Sequence, residues 1–132
     1  MGLPIIFLHV DDSFYLKYSL ESAKKYNPDS RIILIGKNIT NCPDFVEYHQ
    51  MTDYDLEAAK FRKVYVHSST NNENIERFCF ERWFILSEFM KKNNISKVFT
   101  LDSDVLLFEN VTLDANNYSK YLFTLVDKSC GK

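Results

Sequence analysis

The chain reads as an α/β protein with a mostly parallel sheet flanked by helices, and three observations lead there. Short, continuously apolar runs of strand length alternate with longer stretches of helical spacing. The first of these come in the order strand, helix, strand, strand, which favours parallel strands joined by crossovers. A late apolar run, Val98-Phe99-Thr100-Leu101, ends in Asp102-Ser103-Asp104. Carboxylates at a strand's end are expected where the edge of an open α/β sheet meets solvent and ligands bind.

Pro4 to Val10 is an unbroken apolar run and reads as a buried strand. Asp11-Asp12-Ser13 follow as N-cap candidates for a helix from Phe14 to Tyr26, with Leu16, Leu20 and Ala23 on one face. Asn27-Pro28-Asp29 stops it. Arg31 to Ile35 is a second buried strand ended by Gly36, and Phe45 to His49 a shorter third. Asp53 to about Val66 is a helix of weaker periodicity. Thr70-Asn71-Asn72-Glu73 has a capping-box pattern and opens the longest helix, about Asn71 to Asn93. Its apolar stripe is read as Ile75, Cys79, Trp83, Leu86 and Met90. Lys97 to Leu101 is the next strand, Val105 to Phe108 continues apolar, and Tyr121 to Val126 reads as a last strand.

With 132 residues the chain fits one domain with a real core. A 45% hydrophobic content with 11 Phe and 8 Tyr excludes disorder. The net charge of −2 offers no basic track for nucleic acid. With three Gly in all, neither glycine-rich phosphate-loop pattern is present, so phosphate must be met by a metal, a helix N-terminus or a basic side chain. Cys42, Cys79 and Cys130 lack C-x-x-C spacing, which argues against zinc or a disulfide framework and for reduced thiols in a cytoplasm-like compartment. The N-x-[ST] sequons at Asn38, Asn94, Asn110 and Asn117 are read as incidental. The run from Pro4 to Val10 is too short for a membrane span.

Asp102 and Asp104 are hard oxygen ligands that suit Mg²⁺ or Mn²⁺ holding a phosphate, with small Ser103 admitting a ligand to the backbone; a β-turn or helix cap is the plain alternative. An EF-hand fails, because Leu106 and Leu107 replace an oxygen ligand and Gly. Arg82 lies inside the apolar stripe, so it either meets an anion, a carboxylate or a bound phosphate, or snorkels to the rim. Phe80 and Phe84 fall outside the stripe and suggest a second covered side, by further chain or a partner subunit. Asp11 could accept from a base edge or ribose hydroxyl and Tyr15 could stack on a ring, beside plain capping by Asp12 or Ser13. His9 fits a core histidine or a ligand.

In this order the pieces resemble nucleotide-diphospho-sugar glycosyltransferases of the GT-A fold, a Rossmann-like architecture, in the glycogenin-like and bacterial galactosyl- or glucosyltransferase group. The matching segments are Val10-Asp11-Asp12-Ser13-Phe14-Tyr15, Phe80-Glu81-Arg82 and Thr100-Leu101-Asp102-Ser103-Asp104-Val105, within Pro4 to Phe108. The resemblance implies that Asp102 and Asp104 coordinate Mn²⁺ or Mg²⁺ on the diphosphate of a UDP-sugar. It implies donor binding by His9, Val10, Asp11, Asp12, Tyr15, Arg82 and Ser103, with a carbohydrate or glycan acceptor. The family's later metal ligand, often a His, has no counterpart after His67. The chain is therefore expected to be the N-terminal, donor-binding part of a longer cytoplasmic or membrane-peripheral transferase, or to be completed by oligomerisation; Asp127 to Gly131 could begin the acceptor region. Two other readings stay open: a non-catalytic nucleotide-sugar-binding module, and a haloacid-dehalogenase-type phosphatase with Asp102 as nucleophile.

Overall fold

The computed structural model describes residues 1–124. Four strands, β1 (Ile5–Val10), β2 (Ile32–Lys37), β3 (Val46–Gln50) and β4 (Phe99–Thr100), form one sheet in the order β3-β2-β1-β4, and every pairing is parallel. The helices are α1 (Leu16–Tyr26), α2 (Leu56–Val64), α3 (Glu73–Lys92) and the short α4 (Val111–Ala115).

The layers follow from the two-residue alternation of the strands. Ile6, Ile33 and Ile35 point to one face, where they pack with Ala58 of α2 and with Ile85, Leu86 and Phe89 of α3. Ile5, Phe7, Ile32 and Leu34 point to the other, against Leu16, Leu20 and Ala23 of α1 and Val111 of α4. The chain steps from β1 through β2 to β3 in one direction, then returns to place β4 on the other side of β1. With right-handed crossovers, such a reversal puts the connecting helices on opposite faces, which is the arrangement of α1 and α3. Gly36 is required by close packing inside β2, since a Cβ there would lie 2.7 Å from both Ile39 Cγ1 and Tyr48 Cε2.

The stripe expected on α3 is rotated. Ile75, Cys79 and Trp83 are exposed, and the buried face carries Glu81, Ile85, Leu86, Glu88 and Phe89. Two glutamates hide in that face because each is paired. Glu81 takes Arg62 Nε at 2.9 Å and Nη2 at 3.1 Å, with Arg77 Nε at 3.0 Å. Glu88 takes Lys92 Nζ at 2.7 Å and the Leu56 amide at 3.1 Å. Counting apolar residues alone cannot find a face whose charges are met by cations on the same helix and by groups of α2. Phe80 and Phe84 do have a neighbour on their side: Phe84 stacks on Phe61 of α2 at 5.1 Å, and Phe80 approaches Phe61 and Tyr65 at 6.0 and 6.1 Å. Asn72 is the N-cap of α3, accepting from the amides of Asn74 and Ile75.

Three further expectations change. Neither Asp12 nor Ser13 caps α1; its N-cap is Tyr15, without a side-chain bond. The strand at Lys97 to Leu101 shrinks to two residues, and Val105 to Phe108 forms no strand. No strand forms over residues 121–124; the rest of that expected strand, with Asp127 to Gly131 and Cys130, lies outside the described residues. Two sequon asparagines have structural work. Asn110 caps α4, and Asn38, at φ 58°, donates to Asp11 Oδ1 at 2.9 Å. Among the described residues no helix is long and apolar enough to cross a membrane.

Candidate functional site

The strand order reverses between β1 and β4, and a crevice at the C-terminal ends of the strands is expected at such a point. At this end of the sheet β4 is short. Pairing between β1 and β4 stops at Ile6↔Thr100, whereas β1 continues beside β2 to Val10↔Lys37. Past Ile6, β1 has a strand neighbour among the described residues on the β2 side alone. The chain leaving β4 turns through Asp102-Ser103-Asp104, closed by the Val105 amide on the Asp102 carbonyl at 3.2 Å.

This turn and the loop after β1 meet through His9. His9 lies on the same strand face as Ile5 and Phe7 and is 6% exposed. Its Nδ1 is 2.7 Å from Ser103 Oγ and its Nε2 is 3.0 Å from Ser13 Oγ. Burial holds the imidazole pKa below the usual histidine value, against the opposing pull of Asp11, Asp12 and Asp104. Both ring nitrogens are occupied, so His9 reaches a ligand only through the two serines. Ser19 on α1 adds a second hold on the turn, donating to the Ser103 carbonyl at 2.6 Å.

The two carboxylates point outward with different surroundings. Asp102 Oδ1 accepts from Arg82 Nη1 at 2.5 Å, in a pair whose side chains are 30% (Arg82) and 60% (Asp102) exposed. The Arg82 guanidinium also lies 5.0 Å from the Trp83 ring, and its buried Nε has no hydrogen-bond partner among the described residues. Arg82 is thus at the rim of α3, braced against a carboxylate. Asp104 is exposed and makes no side-chain hydrogen bond among the described residues.

The loop after β1 is tied to the loop after β2. Asp11 sits at φ 65°, a left-handed conformation that Asp tolerates better than most residues. Its amide donates to the Lys37 carbonyl at 2.8 Å, and its Oδ1 takes Asn38. Asp12 accepts from the Thr40 amide at 3.0 Å and hydroxyl at 2.5 Å. Those bonds hold its carboxyl below the usual carboxylate range. Val10 ends β1, half-buried. Tyr15 packs edge-on to His9 at 5.8 Å.

A shallow cleft of ≈ 410 Å³ opens between the first turn of α1 and the loop after β2, lined by Asp12, Phe14, Leu16, Lys17, Thr40 and Pro43 among others. It shares the loop after β1 with the acidic turn but takes no residue from 102–104. The D-x-D lies outside this cleft, in the turn after β4.

Among the described residues no three His, Cys, Asp or Glu side chains converge to cage a metal ion. Mg²⁺ and Mn²⁺ suit a sparser donor set, one or two carboxylates completed by waters and substrate phosphates. Asp102 and Asp104 are carboxylates of that kind, and Asp102 is already engaged by Arg82. Cys42 and Cys79 are free thiols, and burial pushes the Cys42 thiol up.

Sequence reasoning missed Ser19 and Ser22, which hold the site from behind, and read Ser13 and Asn27 only as a cap candidate and a helix stop. A signal existed for one of them. Ser19 falls on the Leu16–Leu20–Ala23 face of α1, and a small hydroxyl inside an apolar stripe implies a buried backbone acceptor.

Comparison with models of known protein families, with characterised proteins and with solved structures gave no match.

Proposed function

We propose that the chain is the donor-binding part of a metal-dependent glycosyltransferase of the Rossmann-like GT-A type, acting on a nucleotide-diphospho-sugar such as a UDP-sugar. One observation carries the reading. The reversal of strand order brings the loop Asp11–Tyr15 and the turn Asp102–Asp104 to one edge of a parallel sheet, joined through the His9–Ser103 bond. Asp102 and Asp104 would hold Mn²⁺ or Mg²⁺ there. When bound, the cation neutralises the diphosphate and acts as a Lewis acid on the leaving group. Arg82, paired with Asp102, would bring a positive charge to a phosphate oxygen. Asp11 and Asp12 keep the loop after β1 in one shape beside the donor, and Tyr15 offers a ring face. The sugar acceptor would be a carbohydrate or glycan met outside these residues.

Calorimetric titration with UDP-glucose and UDP-galactose, with and without Mn²⁺, tests the reading. Binding should require the metal and fall at least about tenfold in Asp104→Ala. Equal binding by wild type and Asp104→Ala, with or without Mn²⁺, would sink it. A second reading, a module that binds the nucleotide-sugar without turning it over, draws on the sparse donor set of the described residues. Mn²⁺-dependent hydrolysis of the UDP-sugar separates the two, since a binding module releases no sugar.

A further inference from the structure

The segment after β4 is held in place by side chains rather than by a sheet. From Ser103 to Val111 it runs along α1, bonded at each step to a polar residue there. The Ser103 carbonyl accepts from Ser19 at 2.6 Å, and the Leu107 amide donates to Ser22 Oγ at 3.0 Å. The Glu109 carbonyl accepts from Asn27 Nδ2 at 3.0 Å, and the Val111 amide donates to Asn27 Oδ1 at 2.8 Å. At the turn itself Ser103 is gripped twice, at its hydroxyl by His9 and at its carbonyl by Ser19. Both gripping residues are buried, His9 in the sheet and Ser19 in α1. A two-residue strand cannot orient the turn that follows it, because its pairing ends at Thr100.

We propose that His9 and Ser19 are positioning residues that hold the D-x-D by its middle residue, so that Asp102 and Asp104 are presented to a cation in one fixed geometry. The inference rests on the metal-dependent reading above for what the geometry serves, while the clamp itself is independent of any ligand. A carboxylate pair held in place binds a cation without first spending free energy on ordering the loop. Releasing either grip frees the turn and leaves the carboxylates chemically intact. Ser103 therefore does in this chain what a longer β4 would do, since its hydroxyl and carbonyl replace the missing ladder bonds.

The test pairs two measurements on Ser103→Ala, Ser103→Thr, Ser19→Ala and His9→Phe. Backbone ¹⁵N relaxation reports the order of residues 102–105, and titration with Mn²⁺ alone, followed by electron paramagnetic resonance, reports cation affinity. In the wild type the turn should be as rigid as the strands, with order parameters near about 0.85; in Ser103→Ala and Ser19→Ala it should fall toward about 0.6. Mn²⁺ affinity should drop about three- to tenfold, the equilibrium effect of one buried hydrogen bond. Ser103→Thr keeps the hydroxyl and should restore both. The serine variants decide the matter if His9→Phe fails to fold. An unchanged turn in Ser103→Ala and Ser19→Ala overturns the proposal, and so does a loosened turn with unchanged Mn²⁺ affinity. A wild type that binds no Mn²⁺ overturns the metal-dependent reading instead, and the order parameters alone then decide the clamp.

Discussion

Replacing Asn27 with Ala removes the strut that joins α1 to the segment following the D-x-D. Asn27 is 1% exposed. Its Oδ1 is the acceptor for the Val111 amide at 2.8 Å, and Val111 is itself buried. A buried N–H left without a partner costs roughly 1–3 kcal/mol. Nδ2 donates to the carbonyls of Ala23 and Glu109. The Ala23 carbonyl still accepts from the Asn27 backbone amide at 3.0 Å, so it stays satisfied. The Glu109 carbonyl belongs to an exposed residue and can turn to water, which limits that loss to about 1 kcal/mol. The change should therefore cost about 2–4 kcal/mol, a large share of the roughly 5–15 kcal/mol by which a domain is stable. Urea unfolding followed by far-ultraviolet circular dichroism measures it. Amide exchange shows whether residues 107–113 undock before the sheet does, as expected for a segment tied by side chains. A loss below about 1 kcal/mol would refute the reasoning, because the Val111 amide would then have another partner and Asn27 would be no strut.

Other changes separate stability from binding. Arg82→Met breaks a half-exposed ion pair and should alter stability by less than about 1 kcal/mol. If Arg82 serves a phosphate, Mn²⁺-dependent binding of a UDP-sugar should nevertheless weaken about tenfold by calorimetry; unchanged affinity would leave Arg82 as a rim contact. Glu88 is held below the usual carboxylate range by Lys92, aided by the amides of Glu57 and Leu56 and opposed by burial. Its folded pKa lies under its unfolded one, so the unfolded chain binds more protons in that window and stability rises with pH. Its contribution is whole above the ordinary glutamate value of 4.5 and fades as pH falls through the depressed folded value. Glu88→Gln should flatten the acid limb of a stability–pH curve below about pH 5, and an equally steep limb would contradict the assignment.

The legible part of the fold was the part carried by unpaired apolar runs. Ile5 to Val10 and Ile32 to Lys37 are strands led by four consecutive apolar residues each, and the Leu16–Leu20–Ala23 face of α1 is where its spacing put it. The α3 stripe was misplaced because Glu81 and Glu88 are buried on partners from elsewhere in the chain. Val105 to Phe108 reads in the sequence only as a further apolar run; Ser22 and Asn27, some 80 residues earlier, draw the backbone at Leu107 and Glu109 along α1.

By itself the sequence determined the alternation of strands and helices, the parallel sheet and the carboxylates at a strand's end, since these depend on residue type and near spacing. Tertiary structure alone decided where β4 stops, which face of α3 is buried, and that His9 is buried between Ser103 and Ser13. Each of those depends on a partner far away in the chain, with its burial and hydrogen bonds, and no local pattern records such a partner.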